Sequence, residues 1–146
     1  MRANLETKMK PYGMTVRAII ADEAGRLLLL RRAAQSRNFV GEWEFPGGKM
    51  DDGEMVDEAL RREVREETGL EIGIDSVACV TEFEMPHIRV AMLCFYAHQT
   101  GGELRLSDEH DDFTWVPPDA MAGLPLTQVM RDVLVAIANR LTSQFP

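Results

Sequence analysis

The sequence predicts an α/β protein in which a mixed β-sheet is sandwiched between α-helices (α/β/α). Three observations carry the prediction. Short apolar, β-branched runs lie on both sides of one helical segment. A second amphipathic helix closes the chain. The run Ile88 to His98 (IRVAMLCFYAH) is too apolar throughout to be a strand with one wet face. Strands combined with two separated helices are satisfied by a sheet covered on both faces. A length of 146 residues suits a single domain with a sizeable core. That domain is expected over residues 14–146, behind an N-terminal extension at residues 1–13.

Taken in order, Met14 to Ala21 (MTVRAIIA) and Arg26 to Arg32 (RLLLLRR) read as two strands around a D-E-A-G turn, a hairpin. Ala33 to Met50 has little periodicity, and Gly41, Pro46, Gly47 and Gly48 make it a shaped loop with one apolar stretch, Trp43 to Phe45. A helix follows from Met55 to Thr68. Its start is signalled by Asp51 with Glu54 three residues on, and its end by Gly69, suited to a left-handed cap. Ile72 to Glu84 and Ile88 to His98 read as strands central in the sheet, separated by Met85-Pro86-His87. Gly101-Gly102 marks a turn, Phe113 to Val116 a short strand, and Pro117 to Met121 a brief helical turn. In the last helix Val129, Val133, Leu134, Ile137 and Leu141 recur at helical spacing.

Composition removes several functions. The net charge of -8 argues against a nucleic acid polymer as partner, since that affinity comes from clustered Lys and Arg. No run has the apolar length needed to cross a bilayer or to act as a signal peptide, so a soluble, cytoplasmic protein without a membrane partner is expected. Cys79 and Cys94 lie in apolar strand-like runs and read as reduced core thiols.

The helix from Met55 to Thr68 departs from an ordinary surface helix. At about 100° per residue, Val56, Ala59, Leu60 and Val64 form one apolar arc, and Glu63 and Glu67 fall inside it with Glu66 at its edge. Turning carboxylates inward costs several kcal/mol per ion, on the order of the stability of a small domain, unless they are paired or bind a metal. Two readings follow: a structural network with Arg side chains, for which Arg62 is available locally, or a hard divalent cation held through oxygen ligands. The second would favour Mg²⁺ or Mn²⁺ over zinc, because neither Cys nor His stands at a suitable neighbouring position in the sequence.

The residues Gly48, Glu54, Arg62-Glu63-Val64, Glu66-Glu67 and Gly69-Leu70 stand at the spacings of the Nudix box, and the segment resembles it without a departure. Trp43 to Lys49 (WEFPGGK) and Arg31-Arg32 are similar to flanking segments of MutT-like members, and Ser107 to His110 to the family's second acidic loop. The resemblance runs from about Met14 to about Leu141 and implies the Nudix fold, with the box as loop, helix and loop. It also implies a hydrolase acting on phosphorus anhydrides. Its substrate would be a small-molecule nucleoside diphosphate linked to another group, with Mg²⁺, or Mn²⁺ in its place, as cofactor.

By the same resemblance, Glu63, Glu66 and Glu67 bind metal, joined by the Gly47 carbonyl and by Glu109. Glu63 is the leading general base and Glu109 its rival, with Arg62 and Glu54 as an orienting pair. Arg32 is similar to a phosphate- or base-contacting position and Phe45 to a residue near the base pocket. Gln128, or Thr127, stands where an Asn reads the purine edge in relatives that sanitise nucleotide pools, and that departure weighs against oxidised guanine as substrate. The expected reaction converts a nucleoside triphosphate, or a modified one, to monophosphate and pyrophosphate. An ADP-ribose or nucleotide-sugar pyrophosphatase is the alternative, whose mark Pro86 resembles although similar prolines occur in MutT-like members, and a non-hydrolytic nucleotide-sensing module is the alternative of another class. His87, His98 and His110 lack ligand spacing and read as incidental.

Overall fold

A computed structural model describes residues 9–144, and side chains as far as Asn139. Residues 1–8 of the expected extension, and the side chains of Arg140 and Leu141, lie outside the described set. The first strand, β1 (Tyr12–Ala21), is followed by β2 (Leu27–Arg32), β3 (Trp43–Glu44) and β4 (Gly47–Lys49). Helix α1 (Val56–Thr68) leads into β5 (Leu70–Glu84), β6 (Arg89–Gly102) and β7 (His110–Val116). A 3-10 turn over Pro118–Gly123 precedes helix α2 (Gln128–Gln144).

The sheet has the strand order β3-β2-β1-β6-β5, with β4 added to β1 and β7 to β2. It is mixed, as expected: β1 runs parallel to β6 from Tyr12 opposite Arg89 to Ala21 opposite His98, and the other pairs are antiparallel. Because strand side chains alternate, Ala18, Ile20, Leu28 and Leu30 face one way and Ile19 and Leu29 the other. The first set packs with Ala59, Leu60 and Val64 of α1, the second with Met130 and Val133 of α2. The sheet is therefore covered on both faces, and β1 is buried on both. Among the described residues no helix is long and apolar enough to cross a membrane.

Four local expectations are corrected. The β1–β2 hairpin closes as read, with Asp22 Oδ1 accepting the N–H groups of Ala24 and Arg26 at 2.9 Å, but the strands share only the pair Ala21–Leu27. They then part, because β4 takes the β1 edge at Thr15 to Arg17 and β3 takes β2. Of the two strands read as central, only β6 is; β5 ends the sheet order, bulged and with Val80 exposed. Gly101-Gly102 is no turn but the end of β6, paired with Glu71 and Leu70. An added Cβ on Gly102 would stand 2.3 Å from the Gly69 carbonyl oxygen, so glycine permits a close crossing. Finally, Asp51 and Glu54 close a turn ahead of α1 instead of its first turn: the Asp51 N–H donates to Glu54 Oε1 at 2.7 Å, and Met55 is the residue preceding the helix.

The other end of α1 follows the sequence reading. Gly69 adopts φ 73° and its N–H donates to the Arg65 carbonyl at 2.9 Å. Cys79 and Cys94 are buried, reduced and opposite each other across β5 and β6.

Candidate active site

The site lies where α1 crosses the β4 backbone. Gly47 has φ 147°, and a Cβ there would stand 2.0 Å from the Val16 carbonyl oxygen, so only glycine lets β4 lie against β1 at this point. A Cβ on Gly48 would meet Glu63 Oε2 at 2.6 Å. The two glycines thus let the carboxylates of α1 reach the backbone of β4. The Gly47 N–H donates to Glu67 Oε2 at 3.0 Å.

The three α1 glutamates differ in environment. Glu67 is buried among the core residues, Glu63 half-buried and Glu66 exposed. Burial pushes the Glu67 carboxyl up to about 8 against the opposing Arg17 charge and the Gly47 N–H, with Glu44 and Glu63 adding to the rise. Burial also raises Glu63, partly offset by Arg62.

Arg62 serves the other carboxylates. Its guanidinium spans Glu54, with Nε to Oε2 at 2.7 Å and Nη2 to Oε1 at 2.8 Å, and its Nη1 donates to Glu63 at 3.2 Å and Glu66 at 3.1 Å. The fork holds the Glu54 carboxyl at about 2 and raises the guanidinium above its ordinary value. The arginine network read from the sequence therefore exists, and it leaves out Glu67.

Behind Glu67 lies a second network that sequence reasoning missed. Glu44 of β3 is buried, accepting from Arg17 Nη1 at 3.0 Å and from Arg32 Nη1. Burial raises its carboxyl, but Arg17, the nearby His110 ring and Arg32 outweigh this and hold it at about 2. Arg17 Nη1 also donates to the carbonyls of Phe45 at 2.9 Å and Gly47 at 3.3 Å. The available signal was a charge inside an apolar run, Arg17 in MTVRAIIA and Glu44 in WEF, the same kind of signal that singled out Glu67.

Glu109 is exposed just ahead of β7, its carbonyl accepting from the Ala33 N–H and Ser36 Oγ, both at 2.9 Å. Oxygens of Glu67 and Glu109 and a ring nitrogen of His110 lie within 4.8 Å of one another. His110, read as incidental, is buried, and neither ring nitrogen has a hydrogen-bond partner. A buried carboxyl that forms no ion pair among the described residues, with Arg17 bound to Glu44 instead, and an imidazole without a hydrogen-bond partner beside it fit a divalent cation. β7 brings this histidine to α1 across the fold, so a nitrogen donor stands beside the carboxylates although none is adjacent to them along α1.

A model of the NUDIX domain matches residues 11–136 of the chain. The chain belongs to the Nudix family. It is 32% identical over 111 residues to a MutT-like protein of Streptomyces ambofaciens, a match spanning 76% of this chain and 68% of that one. It is 30% identical over 121 residues to the nucleoside triphosphatase NudI of Salmonella agona, spanning 75% and 86%. Among solved structures, a MutT protein from Methanosarcina mazei superposes with a TM-score of 0.79 at 34% identity, covering 90% of this chain and 96% of that one. The protein is a Nudix hydrolase, acting on phosphorus anhydrides.

Beside the Nudix box, a cleft of about 370 Å³ is lined by Thr15, Arg17, Arg32, Phe39, Met92 and Thr127. Of the residues expected to meet substrate, Arg32 lines it, and so does Thr127, the alternative to Gln128. Phe45 is fully enclosed in the core beside α2, its N–H 3.2 Å from Met130 Sδ, because the β3–β4 connection turns it away from the cleft. Gln128 is exposed and donates to Asp132 at 3.0 Å along its own helix. Thr127 takes its place at the cleft and caps α2, with Oγ1 accepting the Met130 N–H at 3.2 Å. Thr15 Oγ1 is buried without a hydrogen-bond partner.

Proposed function

We propose that this Nudix hydrolase cleaves a nucleoside triphosphate, or a modified one, to the monophosphate and pyrophosphate. Glu63, Glu66, Glu67, Glu109 and the Gly47 carbonyl would hold Mg²⁺ or Mn²⁺. The observation that carries the reading is Glu67: a buried carboxyl raised to about 8, outside the Arg62 network and facing Glu109. Similarity to a MutT-like protein and to a nucleoside triphosphatase supports the substrate class.

When bound, the cation offsets charge on the anhydride oxygens and lowers the pKa of water. The chain's own residues supply the rest. Arg62 fixes Glu63 and Glu66 through charge-assisted hydrogen bonds, with Glu54 gripping the far side of the guanidinium. Glu63, half-buried and with its carboxyl raised by burial, would take the proton from the attacking water as general base. Arg32, at the cleft and partly neutralised by Glu44, would face the phosphate chain.

The test is kcat/KM with Mg²⁺ over a panel of nucleoside triphosphates, ADP-ribose, dinucleoside polyphosphates and sugar nucleotides. Triphosphates are expected to lead, with monophosphate and pyrophosphate as products. ADP-ribose or a sugar nucleotide leading the panel would overturn the substrate class. Nucleotide binding without any released product would overturn hydrolysis itself.

A further inference from the structure

We propose that His110 is a nitrogen ligand to the cation held by Glu67 and Glu109, which makes this a mixed oxygen and nitrogen site. The inference rests on the metal site of the proposed function and adds a nitrogen donor next to Glu109, at the start of β7 and outside the box.

The His110 side chain is 1% exposed, and neither Nδ1 nor Nε2 has a hydrogen-bond partner. A buried imidazole normally satisfies at least one of its nitrogens. Here a ring nitrogen instead shares a space with oxygens of Glu67 and Glu109, all three within 4.8 Å of one another. Donors bound at about 2.0 to 2.3 Å from one ion stand no more than about 4.6 Å apart, so a small closure completes the shell. Glu44 Oε1 lies 3.9 Å from Nε2, placing an ionised carboxylate beside the ring, as is common around metal-bound histidines.

The other two histidines have no such surroundings. His98 is exposed, its Nδ1 2.9 Å from Asp75, and His87 is exposed in the turn between β5 and β6. An imidazole donor also shifts preference away from Mg²⁺, since nitrogen ligands suit transition-metal ions better than a cation that binds through oxygen.

Pulsed EPR on the full chain loaded with Mn²⁺ tests the assignment, because a coordinated imidazole imprints ¹⁴N modulation on the echo. Modulation is expected in the unmodified chain and in a His87→Gln/His98→Gln double variant, whose remaining histidine is His110. It should vanish in His110→Gln, with Mn²⁺ affinity falling about tenfold or more. Bound Mn²⁺ without imidazole modulation in the double variant overturns the His110 ligand and leaves the carboxylate site standing. The double variant gives this answer even if His110→Gln does not fold. Absence of any stoichiometric Mn²⁺ binding overturns the metal site of the proposed function as well.

Discussion

Helices α1 and α2 cover opposite faces of one sheet, and their inward faces carry different chemistry. On α2, Met130 and Val133 are buried and pack with Ile19, Leu29 and Phe45. On α1, Ala59, Leu60 and Val64 do the same work against Val16 and Ile20, but the next inward residues are Glu63 and Glu67. A buried aliphatic side chain stabilises the fold by about 1.5–3 kcal/mol, whereas a buried carboxylate costs several. The same helical periodicity therefore serves packing on one face and a charged site on the other. The contrast predicts that substitutions on α1 and α2 separate activity from stability.

The largest effect is expected from Glu67→Gln, which keeps side-chain volume and removes the charge. Activity should fall by roughly a thousandfold, since a bound cation supplies several kcal/mol of transition-state stabilisation. In chelator the fold should be no less stable. The folded carboxyl sits at about 8 against an ordinary 4.5, so between those values the folded state holds more protons than the unfolded one. Metal-free stability should then fall as pH rises through that window, and Glu67→Gln should flatten the slope in denaturant titrations. Full activity in this variant would remove the contrast between the helices.

Val133→Ala on α2 should do the reverse. Loss of two buried methyl groups is expected to cost about 1–3 kcal/mol in denaturant melts. Turnover per folded molecule should be unchanged, and a large drop in kcat would show that α2 also shapes the site.

The smallest effect sharpens the picture within α1. Arg62→Lys keeps the charge and loses the fork that spans Glu54 while reaching Glu63 and Glu66. Activity or Mn²⁺ affinity should drop about tenfold with little change in melting temperature, as expected of a residue that orients ligands. Equal loss of stability and activity would make the network structural.

Glu63 and Glu67 were legible because their phase on α1 conflicts with their charge, and Gly69 because a helix end needs a left-handed residue there. Phe45 lies away from the cleft, and of Gln128 and Thr127 it is Thr127 that lines it, because the short β3 and the turn before α2 set which neighbouring side chain enters, and neither has a period to read. Arg17, Glu44 and His110 were passed over because each pairs or clusters with residues from other strands or from α1.

What the sequence alone determined is the order of the longer strands and of the two helices, though not β3 and β4 inside the stretch read as a loop, together with the inward glutamates of α1 and the spacing of the box, since these follow from local periodicity and from the limits on glycine and charge. Tertiary structure decided that the first hairpin opens to admit β4, that β5 ends the sheet, and that β3 and β7 bring Glu44 and His110 to α1. Periodicity tells which face of its own element a residue takes. Which element stands opposite that face depends on long-range strand pairing, and so the buried glutamates could be recognised before their partners could.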